Sequence, residues 1–124
     1  MTDLRVYWCA YDWAGHVSGP GTWLASLLPE LRRRGIDSVV NTLVWDSSGP
    51  LVESLRGNQI ETLVHPVAGT TQERIRTVIT GYEQSNADIF VANHVVPALF
   101  AAKWIQQIGV PALAVLHSDD AFYR

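Results

Sequence analysis

Short runs of apolar, β-branched and aromatic residues alternate with segments whose apolar positions recur at helical spacing, and the alternation is regular along the whole chain. Leu4 to Ala10 reads as a strand buried over most of its surface. After a loop rich in glycine, Thr22 to Arg34 carries Trp23, Leu24, Leu27, Leu28 and Leu31 on one helical face. That helix ends in three arginines, which suit the negative end of its dipole, and stops at Gly35. Pro29 is expected to kink or distort it. Ser38 to Val44 reads as a second strand, Leu51 to Arg56 as a short helix closed by Gly57 and Asn58, and Gln59 to Val64 as a third strand. Thr70 and Glu73 form a capping-box pair ahead of Ile75, Val78, Ile79 and Tyr82. A fourth strand covers Asp88 to Ala92. Pro97 opens a helix that runs through Trp104 to Gln107, Gly109 and Pro111 end it, and Ala112 to Leu116 forms a fifth strand.

Strands that alternate with helices of about 10 to 15 residues imply right-handed crossovers and a parallel sheet covered on both faces. The expected fold is therefore a Rossmann-like three-layer α/β sandwich with a parallel sheet of about five strands. After the fifth strand come only Ser118 to Arg124, without a closing helix. That strand is expected to need further chain or a partner to cover it, and a homo-oligomer is one way to supply it.

Composition narrows the class. At 124 residues the chain is one domain, and 48% apolar against 17% charged residues place it among globular sequences. Nine basic against twelve acidic side chains give a net charge of −3, so nucleic acid is not an expected partner. The one cysteine, Cys9, excludes an internal disulfide framework and cysteine-based zinc modules, and a reduced, cytoplasmic setting is the expectation. Met1 to Arg5 precedes no apolar signal core, and Lys103 and Gln106 interrupt the longest late apolar stretch, so no transmembrane segment is expected.

In an open parallel sheet, ligands sit beyond the carboxyl ends of the strands. His16 follows the first strand, Asp46 the second, His65 the third, Asn93 and His94 the fourth, and His117 with Ser118, Asp119 and Asp120 the fifth. All 4 histidines thus fall on one edge. The connections at the opposite edge, around Gly35, Gly57, Ser85 and Gly109, contain none. His117 stands out because it is expected to end a buried strand at the centre of that edge. His65, just before Pro66, is expected only to shape a turn. No H-x-x-x-H or H-x-H spacing occurs, and no metal is expected.

The first connection, Ala14 to Thr22, brings Gly15, Gly19 and Gly21 to a helix start, where free N–H groups favour an anion. The dinucleotide fingerprint is incomplete, since Leu24 stands where the third glycine belongs and Pro20 removes an N–H, so a flavin or nicotinamide domain is disfavoured. A flexible turn with Thr22 or Ser18 as N-cap is the alternative reading of the same residues. Trp8, Trp23 and Trp104 read as core. Trp13 and Trp45 fall on the histidine edge, where an indole can stack on a sugar or base or anchor a loop. Arg32 to Arg34 read as a solvated helix end.

Three segments, GHVSGPGTWLASLLPELRRRGIDSVV, ADIFVANH and VLHSDD, together resemble the N-terminal domain of GT-B fold glycosyltransferases, in particular the retaining family 4 group. The resemblance implies that Gly19, Gly21 and Thr22 belong to a loop facing the donor phosphates. It implies further that His117 contacts the donor sugar, and that Asn93 and His94, with His16 and Ser18, face the acceptor. The substrates implied are a nucleotide-sugar and a sugar-containing acceptor, with no metal or other cofactor. Pro20 between the glycines departs from the family loop. The family continues into a second domain that holds the nucleotide and a Glu-x7-Glu motif, so residues 1–124 are expected to be the N-terminal half of a two-domain enzyme and inactive alone. A stand-alone α/β module that binds a ligand or a protein without catalysis is the alternative.

Overall fold

The computed structural model describes residues 4–15, 17–45, 47–67 and 69–117. The elements follow one another as β1 (Leu4–Trp13), α1 (Gly19–Arg33), β2 (Ile36–Trp45), α2 (Pro50–Gly57), β3 (Glu61–Pro66), α3 (Thr71–Ser85), β4 (Ile89–Asn93), α4 (Val96–Gln107) and β5 (Ala112–Val115). The strands form one sheet in the order β3-β2-β1-β4-β5, and every neighbouring pair is parallel. This is the Rossmann-like α/β architecture that the alternating pattern predicts.

The two-residue period of β1 divides its apolar side chains between two helical layers. Val6, Trp8 and Ala10 join Val40 and Val91 under Leu24, Leu28, Leu51 and Leu55 of α1 and α2. Tyr7 and Cys9 join Val39, Leu43, Phe90 and Ala92 under Val78 and Tyr82 of α3 and Ala98, Ala101 and Ile105 of α4. Both faces of the central strands are therefore dry, which explains their nearly continuous apolar sequence. Tyr7 lies stacked on Phe90 at 5.4 Å and edge-on to Tyr82 at 5.6 Å, so three aromatic rings fill the second layer.

Five sequence expectations change. β1 runs on to Trp13, because the polar Asp12 finds partners inside the fold. α1 starts at Gly19 with Ser18 as its N-cap, so Gly19 and Gly21 form the first helical turn rather than a preceding loop. It continues through Pro29 to Arg33 as one helix. β5 is an edge strand, not a buried central one: Leu113 is 57% exposed. Trp23 and Trp104, read as core, are 39% and 43% exposed, whereas Trp8 is buried. Helical spacing put both indoles beside apolar neighbours, but it does not report how wide the covered stripe is. Among the described residues no helix is long and apolar enough to cross a membrane.

Candidate functional site

The carboxyl ends of β1, β4 and β5 and the first turn of α1 enclose a cleft of about 520 Å³. That size lies within the range of small-molecule sites, about 300–1,000 Å³. Its floor is Ala10 and Tyr11, and its rim carries Ser18, Gly19, Asn93, His94 and His117. The structure thus gathers most of the residues that the sequence had scattered over three connections. His16, Asp46, Ser118, Asp119 and Asp120 lie outside the described residues.

Asn93 is the centre of the polar side. It ends β4, is almost wholly buried, and its Nδ2 donates to the Pro20 carbonyl at 3.3 Å. That contact fixes the amide, so Oδ1 faces His117 Nε2 at 2.7 Å and must accept. His117 Nε2 therefore carries a proton, and in the neutral ring Nδ1 is left with a lone pair. The backbone N–H of His117 in turn donates to His94 Nδ1 at 3.1 Å, which requires that nitrogen to be unprotonated. His94 reaches this position in the left-handed region, at φ 58°, with its own N–H donated to Val115 carbonyl at 2.9 Å. The two imidazoles lie 5.9 Å apart, and the Trp23 ring stands edge-on to His117 at 5.2 Å. Burial, and then the neighbouring His94, lower the His117 pKa below its usual value, so the neutral ring is the favoured form.

The glycine side behaves differently from an open phosphate cradle. Ser18 Oγ accepts the Gly21 N–H at 2.9 Å, the Thr22 N–H is already bonded to Ser18 carbonyl at 2.9 Å, and Pro20 has no N–H. Thr22 Oγ1 also donates to Ser18 carbonyl, at 2.8 Å. Among the described residues nothing accepts the Gly19 N–H, which this turn can offer to a ligand, and a Cβ there would meet nothing within 4 Å. At Gly21 a Cβ would lie 2.8 Å from Ser18 Oγ. A side chain at Gly19 would stand in open space, whereas the glycine at position 21 makes room for the cap.

Two residues escaped sequence reasoning. Trp23 walls His117; its signal was its position directly after the glycines of the helix start. Asp12, buried at the end of β1, accepts from the N–H groups of Gly49 at 2.7 Å, Val52 at 3.0 Å and Leu51 at 3.3 Å. It supplies the N-cap that Gly49 cannot, and it also lines a second groove of about 280 Å³ between α1 and α2. Trp45, expected in a loop, ends β2; it is 43% exposed and tilted against Tyr11 at 5.9 Å. Among the described residues no group of three or more His, Cys, Asp or Glu converges as a metal-ligand set.

The sequence matches no protein-family model and no curated protein. Its fold is similar to solved structures. Two are of the C-terminal domain of the PF1911 hydrogenase from Pyrococcus furiosus: one at 14% identity over 90% of both chains with TM-score 0.68, the other at 15% over 91% of both with TM-score 0.70. A third is a glycosyltransferase from Rickettsia africae ESF-5, at 15% identity, TM-score 0.67 and 94% of this chain. The match spans 30% of that glycosyltransferase. At such identities the likeness is one of fold.

Proposed function

We propose that this chain is the acceptor-side domain of a retaining, nucleotide-sugar-dependent glycosyltransferase of the GT-B, family 4 type. The observation that carries the proposal is the Asn93–His117–His94 array, held on the same cleft as the start of α1. The fold shared with the Rickettsia glycosyltransferase and the resemblance of three sequence segments support it. In this reading the second domain supplies the nucleotide site, so the 124 residues bind but do not transfer.

The chemistry follows from the tautomers. A sugar presents O–H donors, and the Nδ1 lone pair of a neutral His117 accepts one, while the Nε2–H to Asn93 fixes the ring plane. Transfer with retention develops positive charge at the reacting carbon and negative charge on the leaving diphosphate. His117 orients the sugar and places electron density beside the former. The Gly19 N–H contributes to the latter, with further donors from the other domain. No residue of the cleft is assigned as a general base, because the departing phosphate oxygen can take the acceptor proton on the same face.

The test is a nucleotide-sugar and sugar panel followed by amide and imidazole NMR of the 124-residue chain. Shifts confined to Gly19, Trp23, Asn93 and His117, lost in His117→Ala, support the reading; silence toward every sugar, or a response to NADH instead, overturns it. In an enzyme that carries both domains, His117→Ala lowers turnover by about tenfold or more, about 1.4 kcal/mol of transition-state stabilisation. Unchanged kinetics would remove His117 from the reaction.

A second reading is a stand-alone binding module. What favours it is that the match covers 90% of a hydrogenase C-terminal domain solved apart from the rest of its protein, so a domain of this size holds the fold as one unit. Ligand binding by the cleft with no transfer by any chain that contains it distinguishes the two.

A further inference from the structure

On the opposite layer, β3 and α3 leave a smaller, open cavity of about 230 Å³, lined by His65, Arg76, Thr77, Thr80, Gly81 and Gln84. The sequence suggested for His65 only the shaping of a turn. Its ring instead ends a buried hydrogen-bond chain whose direction is fixed from the far end. The Val78 carbonyl can only accept, so the Tyr7 hydroxyl donates to it, at 2.9 Å. The Tyr7 oxygen then accepts Asn41 Nδ2–H at 2.8 Å, and Asn41 Oδ1 faces His65 Nδ1 at 2.7 Å. His65 Nδ1 must therefore carry the proton, and the neutral ring presents the Nε2 lone pair as its remaining polar atom.

The other polar groups of the cavity are donors or neutral. Arg76 makes no ion pair among the described residues, and no carboxylate lines the cavity. Glu61, on the same face of β3, is held by Arg5. Thr77 spends its hydroxyl on the Glu73 carbonyl at 3.1 Å, whereas Thr80 and Gln84 present side-chain groups with no partner among the described residues. Gly81 is what lets α3 approach: a Cβ there would lie 2.6 Å from Asn41 Nδ2 and 2.9 Å from the Tyr7 hydroxyl.

An occupant that suits both charged and lone-pair partners needs negative oxygens for Arg76 and an O–H for His65 Nε2. A carboxylate or sulfate has the oxygens but brings no proton at neutral pH. We propose that this cavity binds hydrogen phosphate, with Arg76 pairing two of its oxygens and the phosphate O–H donating to His65 Nε2. The proposal does not rest on the glycosyltransferase reading, since it uses none of the residues of the main cleft.

The probe is inorganic phosphate at about pH 8, where the free ion carries one proton, read on the His65 ring nitrogens and the Arg76 side chain by NMR. Saturable shifts at both residues are expected, with a weaker response to sulfate at equal ionic strength. Arg76→Gln, a surface change, weakens binding by about tenfold, the loss of one charge-assisted pair, and Arg74→Gln, on the same helix outside the cavity, leaves it unchanged. Absence of saturation, an equal response to sulfate, or an unaltered response in Arg76→Gln would overturn the proposal. Glycerol 3-phosphate separates the source: its phosphate is a proton-free dianion at that pH, so a response equal to that of phosphate overturns the assignment to the free ion.

Discussion

At the scale of single residues, the cleft depends on groups whose protonation is dictated by their neighbours. His117 has a pKa lowered first by burial and then by His94. Below the ordinary histidine value of about 6.5 the unfolded chain binds a proton that the folded chain resists. Stability therefore falls as pH drops through that value toward the folded pKa, and it is unaffected by this group above it. Urea unfolding of the wild type and His117→Gln at several pH values checks this: the variant loses less stability on acidification, and parallel curves would show that the ring is not shielded. Asp12 is a stronger case for the fold itself. Its carboxylate serves three N–H groups at the start of α2, so Asp12→Ala leaves buried donors unpaired and costs about 2–3 kcal/mol, measured by equilibrium denaturation. The sequence showed His117 and Asn93 as candidates, because their place after parallel strands is a consequence of topology. It could not show Asp12, whose partners stand 37 to 40 residues away and whose role exists only once α2 has docked.

At the scale of elements, most of the fold was legible and the helix starts were not. Apolar period and turn residues define β1 to β5 and α1 to α4, because burial on both sheet faces leaves little freedom in strand composition. Where α1 begins was misplaced by three residues, since a glycine-rich stretch reads as loop unless Ser18 is known to cap it. The two glycines of that turn separate experimentally. Gly21→Ala drives a methyl to within 2.8 Å of Ser18 Oγ and disturbs the cap, so it destabilises the chain by about 1 kcal/mol. Gly19→Ala meets no neighbour and gains helix propensity, so stability holds or rises slightly, while the methyl projects into the cleft. Thermal melts beside ligand titration read the difference: stable but weakened in binding for Gly19→Ala, and destabilised for Gly21→Ala. The reverse order would place the cap, not the cleft, at Gly19.

At the scale of the molecule, the sheet order puts β2, β1 and β4 inside and β3 and β5 at the two edges, and the consequences at β5 are physical. An edge strand offers an unpaired row of backbone groups, and here it is accompanied by apolar side chains: Leu113 at 57%, Leu116 at 43%, Phe100 at 55% and Trp104 at 43% on α4, and Ile108 at 55% exposure just after it. Natural edges are usually blunted by charge, and Lys103 is the one charged residue that α4 contributes. Among the described residues these side chains form one exposed apolar face. Because Leu113 is more exposed than buried, a lysine there costs the fold little, yet it places a charge on an edge strand open to pairing. Leu113→Lys should therefore leave the unfolding midpoint nearly unchanged and reduce concentration-dependent association, followed by light scattering across a dilution series. If the variant associates as strongly as the wild type, copies do not meet along β5. If instead the midpoint collapses, Leu113 is buried in solution by an interface strong enough to be part of the fold.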